Sequence, residues 1–408
     1  MGATFKKNLR TGKSIWQARR APSIPLTTFR RGSRKIDVLI IGAGVSGAMV
    51  AEALTDAGLD VAIIDRRGAL KGSTPASTSL VQYEIDTPLS KLAEDIGKEK
   101  ARRIWVRSRL ALDALRERTR ALAIEADCVN RDTLYLDGDV LGPRALEAEF
   151  RMRREIGLEA TFLDASQVEK RFGVKGRTAI VGYDNFAADP VRLAAGFLQT
   201  AIARGAKLYA PAEAQQVTPQ AHGVKVDIVG GGSISARNLI FATGYELPKG
   251  VPDMGHTIIS TWALATKPQL RKLWPEKCFI WEASDPYLYM RAGPQGRVIC
   301  GGEDEVFADD ATRDALIGRK ISRLEEKLSA LFPQIDPSAE YAWTGNFGKS
   351  ETGSPTIGAI PRMPHCYAVF GYGGNGITFS AMAAQVLRNM LTGNGDADAD
   401  LFSFRRDF

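Results

Sequence analysis

Hydrophobic positions near the start of the chain follow the pattern of one β-α-β unit. Residues 38–41 are continuously apolar, as in strands that are buried on both faces of a parallel sheet. Apolar residues then recur at helical spacing over residues 45–54, Gly58 ends this stretch, and residues 61–64 are again continuously apolar. This order predicts a buried strand, a helix and a second buried strand.

The remainder of the chain shows two further patterns of hydrophobic positions. Helical spacing predicts helices at about residues 89–122, 144–155, 191–203, 319–331 and 379–391, and short apolar runs predict strands at 134–136, 207–210, 224–229, 239–242 and 366–370. Between residues 257 and 302 the period changes to two, with Gly and Pro turns separating strands at 257–265, 287–291 and 298–300. Period two predicts an antiparallel sheet that is distinct from the parallel one.

These patterns predict an α/β (α+β) fold with a Rossmann-like nucleotide-binding domain and an inserted, mainly antiparallel substrate domain. At 408 residues, 44% of them hydrophobic, the chain is long enough for two cores. We assign residues 1–34 to a basic N-terminal extension. The nucleotide-binding domain is predicted to be discontinuous, over residues 35–90, 145–247 and 341–408, and the substrate domain to comprise residues 91–144 and 248–340.

The net charge of +7 is carried by the extension. Residues 1–36 contain ten Lys or Arg and no Asp or Glu, which leaves the remainder of the chain at about −3. This predicts a solvated basic arm, with docking on an acidic partner or membrane surface, or a mitochondrial presequence, as alternatives. No pattern favours nucleic-acid binding, and no run of 18 apolar residues indicates an integral membrane segment.

Histidines and cysteines are few and isolated. The three His and four Cys show no CxxC, HxxxH or HExxH spacing, so we expect neither a metal site nor a disulfide framework. Unpaired cysteines are typical of a reducing compartment, and we expect a cytoplasmic protein. Cys366 is expected to be a core residue at the start of a strand.

A glycine turn joins the first predicted strand to its helix. Gly42, Gly44 and Gly47 have the GxGxxG spacing of dinucleotide-binding turns, and Val45 and Ser46 begin the helix. The first glycine permits a tight turn, the second lets the backbone approach a diphosphate, and the third lets the helix pack on the strand. The helix N-terminus then offers free amides to the diphosphate.

Asp65 ends the second predicted strand, where an acid accepts hydrogen bonds from the ribose hydroxyls of a dinucleotide. Arg66 follows it and is counted with the cofactor contacts. Small and hydroxyl-bearing residues that permit close approach of a long, flat ligand come next, and these are Gly72, Ser73, Thr74, Ser77 and Thr78. A Ser/Thr-rich surface loop is the alternative for this segment.

Two further segments favour a flavin over a nicotinamide cofactor. One is the end of the predicted strand at 239–242, and the other is a glycine-rich turn before the last predicted helix. Amides at a helix N-terminus can stabilise negative charge on the pyrimidine edge of a reduced flavin. The residues concerned are Thr243 and Gly244 in the first segment, and Gly374, Asn375, Gly376 and Ile377 in the second.

The ordered combination of these motifs resembles the D-amino-acid oxidase-like superfamily of FAD-dependent oxidoreductases, which includes glycine oxidase, sarcosine oxidase and γ-glutamylputrescine oxidase. The segments Trp343-x-Gly345 and 353–358 add to the resemblance, which spans about residues 35–395. It implies FAD, held non-covalently because no cysteine occupies the position that sarcosine oxidases use for a covalent link. It also implies a substrate-domain sheet that covers the flavin, and an adenine contact near Ala214.

The resemblance further implies substrate contacts on one strand. Tyr287, Tyr289 and Arg291 alternate and would share one face. If that face lines the cavity, two aromatic rings and a cation are directed at the substrate; otherwise they form a solvated stripe. Where glycine oxidase-like members have an Arg that clamps the substrate carboxylate, this chain has Phe347, which puts α-amino acid specificity in doubt unless Arg291 supplies the clamp.

Large aromatic residues are expected to build a water-poor pocket, with a purely core role as the alternative. Trp343, Phe347, Tyr289 and Tyr372 are the candidates. The segment Gln82-Tyr83-Glu84 follows the hydroxyl-rich loop and is expected to reach the flavin, where the Glu84 carboxylate would pair with a cationic substrate.

These features predict FAD-dependent oxidation of a C–N bond of a small amine or amino acid to an imine, by hydride transfer to flavin N5. O2 or another electron acceptor would reoxidise the flavin. Two alternatives stay open at this point. One is oxidation of the C–O bond of a 2-hydroxy acid, and the other is a flavoprotein subunit of a larger dehydrogenase that docks through its basic arm.

Overall fold

The computed structural model describes residues 2–29, 33–251, 256–350 and 352–404. Within these ranges the chain forms the following α-helices: α1 Val45–Asp56, α2 Leu89–Ile96, α3 Lys98–Ala121, α4 Pro143–Glu155, α5 Ala165–Phe172, α6 Pro190–Ala203, α7 Asp310–Ala315, α8 Ile317–Leu331, α9 Gly376–Leu391 and α10 Ala399–Phe402.

The strands of the same ranges assemble into two sheets. They are β1 Arg10–Gly12, β2 Ser33–Ile41, β3 Val61–Ile64, β4 Leu80–Val81, β5 Val129–Leu136, β6 Ala160–Leu163, β7 Ala179–Ala187, β8 Lys207–Tyr209, β9 Ala214–Gln220, β10 Gly223–Ile228, β11 Ser233–Phe241, β12 Thr257–Thr266, β13 Phe279–Glu282, β14 Tyr289–Ala292, β15 Val298–Glu305, β16 Ala339–Lys349, β17 Thr356–Ala359 and β18 Cys366–Phe370.

The first sheet has the order β17-β18-β11-β2-β3-β8, with β10 and β9 extending from β11. Strands β18, β11, β2, β3 and β8 run parallel to one another. Residues 38–40 at its centre are fully buried, which explains their unbroken apolar pattern. Helices α1, α6 and α9 pack together over this sheet, so the predicted β-α-β unit and its parallel sheet are confirmed.

The second sheet has the order β1-β16-β12-β15-β14-β13-β5-β7-β4, with β6 paired to β7. Its pairs are antiparallel except that of β13 with β5. Helix α8 packs against β12, β15 and β16. The predicted α/β fold with one parallel and one mainly antiparallel sheet is therefore confirmed.

The two sheets do not divide where the domain boundaries were predicted. Strands β6, β7 and β16 lie in the second sheet, although residues 145–247 and 341–408 were assigned to the nucleotide-binding domain. Strand β16 pairs along its whole length with β12, and β7 pairs with β5. Pairing between strands that lie far apart in the chain leaves no pattern in the local sequence. The sequence therefore could not show which sheet these strands join.

The helix predicted over residues 89–122 is two helices. Gly97 has a φ of +87° and separates α2 from α3. A residue with a side chain disfavours this backbone conformation, so the glycine ends α2 and turns the chain before α3 begins. The carbonyl of Ala93 accepts the Gly97 N–H, which closes the last turn of α2.

The N-terminal extension is packed against the body of the protein, and its prediction as a solvated arm is wrong. Leu9, Ile15 and Trp16 are buried, β1 pairs with β16, and Arg19 forms an ion pair with the buried Asp189. Three apolar side chains spaced without a regular period are enough to anchor the segment, while many of its charges stay at the surface. Arg30 and Arg31 lie outside the described residues.

No helix in the described parts of the chain is long and apolar enough to cross a membrane. Cys366 is fully buried as the first residue of β18, as predicted.

A buried ion pair ties α4 to α2. Glu149 is 0% and Arg153 1% exposed, and their side chains meet at 2.7 Å. The Glu149 carboxylate also accepts the backbone N–H groups of Leu89 at 3.0 Å and Ser90 at 2.7 Å, which are unpaired donors of the first turn of α2. Burial works against ionisation, but Arg153 and these donors hold the pKa of Glu149 below its ordinary value.

We expect Glu149→Ala to lower the free energy of unfolding by roughly 3–5 kcal/mol, because it leaves the Arg153 charge buried and unpaired. Glu147→Ala is the matched control on the same helix, since Glu147 pairs with Arg151 at the surface. Its cost should stay below about 1 kcal/mol. Urea unfolding of both variants measures the difference, and equal losses would contradict the importance of the buried pair.

Candidate functional site

A deep cleft opens between the two sheets. It contains about 1780 Å³ of space not filled by protein atoms, its open mouth included. One wall comes from the turns that follow the carboxyl ends of the parallel strands β2, β3, β11 and β18, and the other from β12, β13, β14 and β16. In open α/β sheets ligands bind outside the carboxyl ends of the strands, so this cleft is the candidate site.

The cleft brings together nearly all residues assigned to a cofactor from the sequence. Those that line it are Gly42, Gly44, Val45, Ser46, Asp65, Arg66, Gly72, Ser73, Thr74, Ser77, Thr78, Ala214, Thr243, Gly244, Gly374, Asn375, Gly376 and Ile377. Gly47 lies behind the lining, where a Cβ atom would be 1.9 Å from the carbonyl oxygen of Gly42. That close approach is the helix-packing role predicted for the third glycine.

The glycine turn after β2 touches the turn after β11. Gly42 has a φ of +114°, and a Cβ atom there would lie 2.2 Å from the carbonyl oxygen of Ala242. A side chain at this position would therefore push two turns that line the cleft apart. The amides of Ser46 and Gly47 belong to the first turn of α1, whose N–H groups have no acceptor within the helix.

The Asp65 carboxylate fixes the turns around it. It accepts the backbone N–H groups of Ala43 at 2.9 Å, Arg67 at 2.8 Å and Gly68 at 3.1 Å. Burial raises the pKa of Asp65 despite these three donors. The carboxylate thus holds the glycine turn and also faces the cleft at the end of β3.

Two arginines next to Asp65 share one acid. Glu246, which is buried, pairs with Arg66 and with Arg67, the latter at 2.5 Å. The backbone N–H of Lys7 donates to the same carboxylate at 2.8 Å, and Arg67 donates to the Lys7 carbonyl at 2.9 Å. This end of the cleft is therefore rich in positively charged donors that Glu246 holds in place.

The N-terminal extension covers the same end. Thr4 and Leu9 line the cleft. The Ala3 N–H donates to the carbonyl of Ala214 at 2.9 Å, and Arg10 Nε donates to the carbonyl of Gly72 at 3.1 Å. We call residues 2–18 the strap, because they run along the turns on which the predicted cofactor contacts lie.

The hydroxyl loop, residues 72–79, is held from outside the cleft by three large side chains. Trp16 Nε1 donates to the Ser77 carbonyl at 2.7 Å, and Trp343 Nε1 donates to the Ala76 carbonyl at 2.8 Å. Arg291 donates to the Ser79 carbonyl at 2.5 Å. On the cleft side, Thr74 Oγ1 accepts the Val45 N–H at 3.0 Å.

Two residues predicted to contact the substrate, Arg291 and Trp343, do not line the cleft because they hold the hydroxyl loop instead. The pleat does place Tyr289 and Arg291 on one face, but the hydroxyl loop covers that face at Arg291. Arg291 is buried, also donates to the Ala188 carbonyl at 3.1 Å, and does not line the cleft, so it supplies no carboxylate clamp there. Trp343 likewise lies behind the loop, in a small core with Trp16.

Another part of the cleft, which we call the tyrosine end, consists of aromatic side chains around Asp86. It is lined by Tyr245, Tyr287, Tyr289, Phe347 and Tyr372 in addition to Asp86. The rings of Tyr287 and Tyr289 are 5.4 Å apart, and those of Tyr245 and Tyr372 are 6.3 Å apart. Tyr287, Tyr289, Phe347 and Tyr372 were predicted from the sequence, whereas Tyr245 and Asp86 were not.

The C-terminal turn connects the tyrosine end to the rest of the cleft. The Gly374 N–H donates to Asp86 Oδ2 at 2.7 Å, and a Cβ atom on Gly374 would lie 3.1 Å from the Tyr287 hydroxyl. Asn375 Nδ2 donates to the Glu84 carbonyl at 2.8 Å, just before α9 begins. The turn therefore sits between Asp86 and the segment that follows the hydroxyl loop.

Of the predicted segment 82–84, only Gln82 reaches the cleft. Glu84 is fully buried, and its carboxylate accepts hydrogen bonds from Thr133 and Asn185, so its expected role towards a substrate is wrong. Sequence reasoning also missed Arg67, Glu246, Thr4 and Leu9. Arg67 follows Asp65 and Arg66 closely enough to have been found, but the other three carry no local signal.

The positively charged end fits a dinucleotide diphosphate. Ser73 Oγ and Arg66 Nη1 line or adjoin the cleft and are buried without a hydrogen-bond partner among the described residues. Two arginines, free first-turn amides and an unsatisfied hydroxyl are the donors that phosphate oxygens require. At the C-terminal turn, Asn375 Oδ1 is a buried acceptor that lacks a partner in the described chain.

Comparisons with known proteins agree with this geometry. Residues 37–390 match the family model "DAO: FAD dependent oxidoreductase". The chain is 23% identical to the probable oxidoreductase OrdL of Rhizobium meliloti (strain 1021), over 96% of this chain and 90% of that one. It is also 23% identical to the gamma-glutamylputrescine oxidoreductase of Escherichia coli (strain K12), over 88% of this chain and 84% of that one.

Among solved structures, glycine oxidase from Geobacillus kaustophilus superposes with a TM-score of 0.74 at 20% identity, covering 92% of this chain and all of that one. The likeness shows that the two share a fold. With the family match extending from β2 through nearly all of α9, the chain belongs to the D-amino-acid oxidase family of FAD-dependent oxidoreductases.

Proposed function

We propose that this oxidoreductase converts a C–N single bond of a small amine or amino acid to an imine, with FAD as the hydride acceptor. The observation that supports this proposal most is the uneven distribution of charged and aromatic residues along the cleft. Donors for a diphosphate lie at one end and a partly enclosed aromatic chamber at the other, so that a flavin bound along the cleft would present its ring system to the tyrosine end. The names of the relatives, an oxidase of glycine and an oxidoreductase of γ-glutamylputrescine, support a nitrogen-bearing substrate.

The cofactor contacts of this proposal are the residues of the cleft lining. The glycine turn and the first turn of α1 would bind the diphosphate, and Asp65 would accept the ribose hydroxyls. Ala214 would lie at the adenine, and the hydroxyl loop and the 374–377 turn would bind the flavin. Trp343 and Arg291 take part only indirectly, because they fix the backbone of the hydroxyl loop.

The bound flavin supplies an acceptor for two electrons and a proton. The protein's part is to bind the amine in its neutral form, to orient the C–H bond and to exclude water. The substrate gives up a hydride from carbon and a proton from nitrogen, a C=N bond forms, and water then hydrolyses the imine to a carbonyl compound and an amine or ammonia. Tyr287, Tyr289 and Phe347 would form the walls that orient the substrate.

Anaerobic titration of the purified holoprotein tests the reaction class. We expect at least one member of a panel of amines, N-methyl amino acids and D- and L-amino acids to bleach the visible flavin absorbance. The rate at which the colour returns in air then distinguishes an oxidase from an enzyme that uses another acceptor. Bleaching by 2-hydroxy acids alone would assign the enzyme to C–O oxidation instead.

The strap yields a second test, on cofactor retention. Leu9 is 5% exposed and lines the cleft, so Leu9→Ala should remove most of a buried side chain's contribution and raise the dissociation constant of FAD by about tenfold or more. Phe5→Ala is the matched control, because Phe5 is 57% exposed on the same segment. Flavin released on dilution is measured by fluorescence. Equal release from both variants would show that the strap does not retain the cofactor.

A further inference from the structure

The charged side chains along the cleft are unevenly distributed. Of the described residues that line it, the cations are Arg66 and Arg67, and both pair with Glu246 at the diphosphate end. At the tyrosine end, Asp86 is the charged residue of the lining. Arg291, the cation that the sequence had placed there, is turned into the hydroxyl loop. An anionic substrate group would therefore find no cation in the described lining of this end.

The carboxylate of Asp86 forms no ion pair with any described residue. It accepts the Gly374 N–H and lies beside the Tyr287 hydroxyl. Burial raises its pKa, against the opposing influence of Gly374 and of the exposed Lys349. A carboxylate desolvated in this way gains most from a ligand that brings positive charge.

Gln82 adds to the lining a hydrogen-bond acceptor that also lacks a partner among the described residues. Gln82 is 7% exposed, and its Oε1 atom has no hydrogen-bond partner among the described residues. Its own amide nitrogen donates to the Glu84 carbonyl at 3.3 Å, which leaves the oxygen free for a donor in the cleft. An N–H group of a ligand would satisfy it.

The aromatic walls add a third reason. Tyrosine and phenylalanine rings attract cations over their faces, and enclosures of aromatic rings bind quaternary ammonium ligands. Five such rings line the tyrosine end around Asp86. The charge of Asp86, the free acceptor of Gln82 and the aromatic rings thus all favour a ligand that carries a positively charged nitrogen.

We propose that Asp86 binds a cationic nitrogen of the substrate other than the neutral nitrogen that is oxidised, and that the substrate is an amine without an α-carboxylate. This inference rests on the proposed C–N oxidation and specifies its substrate class. When ionised, Asp304 adds negative charge at this end from the second sheet. Its Oδ1 atom is buried without a partner in the described chain, close to Thr261, Tyr287 and Tyr289.

A non-reacting cation tests binding separately from chemistry. Tetramethylammonium added to the holoprotein should perturb the flavin spectrum, and acetate should not compete with it. Asp86→Asn, which keeps the side-chain shape, should weaken tetramethylammonium binding by at least about tenfold, the effect of losing one charge-assisted contact. Asp285→Asn is the control, since Asp285 is an exposed acid near the same end. Equal effects of the two variants, or tighter binding of acetate, would overturn the proposal.

The pH dependence of the same titration examines Asp304. Burial, then Asp86 and Asp285, raise the pKa of Asp304 to about 7, while Thr261 and Lys320 oppose the rise. Asp304 is therefore ionised above this pH, and tetramethylammonium, which has no proton to lose, should bind more tightly at about pH 8 than at about pH 6. Asp304→Asn should reduce this dependence, and an unchanged dependence would show that Asp304 does not contribute.

A matched substrate pair tests the class directly. 1,4-Diaminobutane and 2,5-diaminopentanoate differ only in an α-carboxylate, and the first should bleach the flavin faster under anaerobic conditions. Faster bleaching by the amino acid would overturn the inference while leaving C–N oxidation intact. If tetramethylammonium binds through Asp86 but no nitrogen compound bleaches the flavin, the proposed oxidation fails and the cation site stands.

Discussion

The geometry of the cleft depends on how the hydroxyl loop is held. Trp16 from the strap, and Trp343 and Arg291 from the second sheet, donate to the carbonyls of Ser77, Ala76 and Ser79. Ser79 has a φ of +60°, a conformation that costs energy for a residue with a side chain unless its surroundings fix it. Because these donors are themselves buried, the loop cannot relax without exposing them. The side chains of the loop that line the cleft are thereby held at fixed positions between the two sheets.

The uneven distribution of charge along the cleft depends on which of its acids and arginines already have partners within the protein. At the diphosphate end Glu246 orients two arginines but cannot use all their donors, so Arg66 Nη1 stays unpaired among the described residues. At the tyrosine end Arg291 is committed to backbone carbonyls, and the carboxyl group of Asp86 forms no ion pair with any described residue. The lining of a single cavity thus offers positively charged donors in one part and an unpaired carboxyl group in another.

How well each feature was predicted depends on how local its cause is. The glycine turn, and the position of Asp65 after the second strand, were predicted correctly because strand, turn and helix follow one another along the chain, and each glycine has a steric reason that neighbouring residues reveal. The alternation of Tyr289 and Arg291 correctly placed both on one face. It could not show that the hydroxyl loop, more than two hundred residues earlier, covers that face at Arg291. Asp86 belongs to no motif, and only the approach of Gly374 and Tyr287 reveals its position.

The strap has a consequence for how the protein is made. Its strand β1 pairs Arg10 with Gly345, so β1 cannot be paired until β16, the last described strand of the second sheet in chain order, has been synthesised. While the ribosome is still synthesising the residues between them, the strap has no place to dock along β16, and that side of the cleft stays uncovered. A nascent chain therefore passes through a stage in which β2, β3 and β11 have been synthesised while β1 cannot yet pair with β16. Pairing of the strap with β16 therefore requires that most of the chain has already been synthesised.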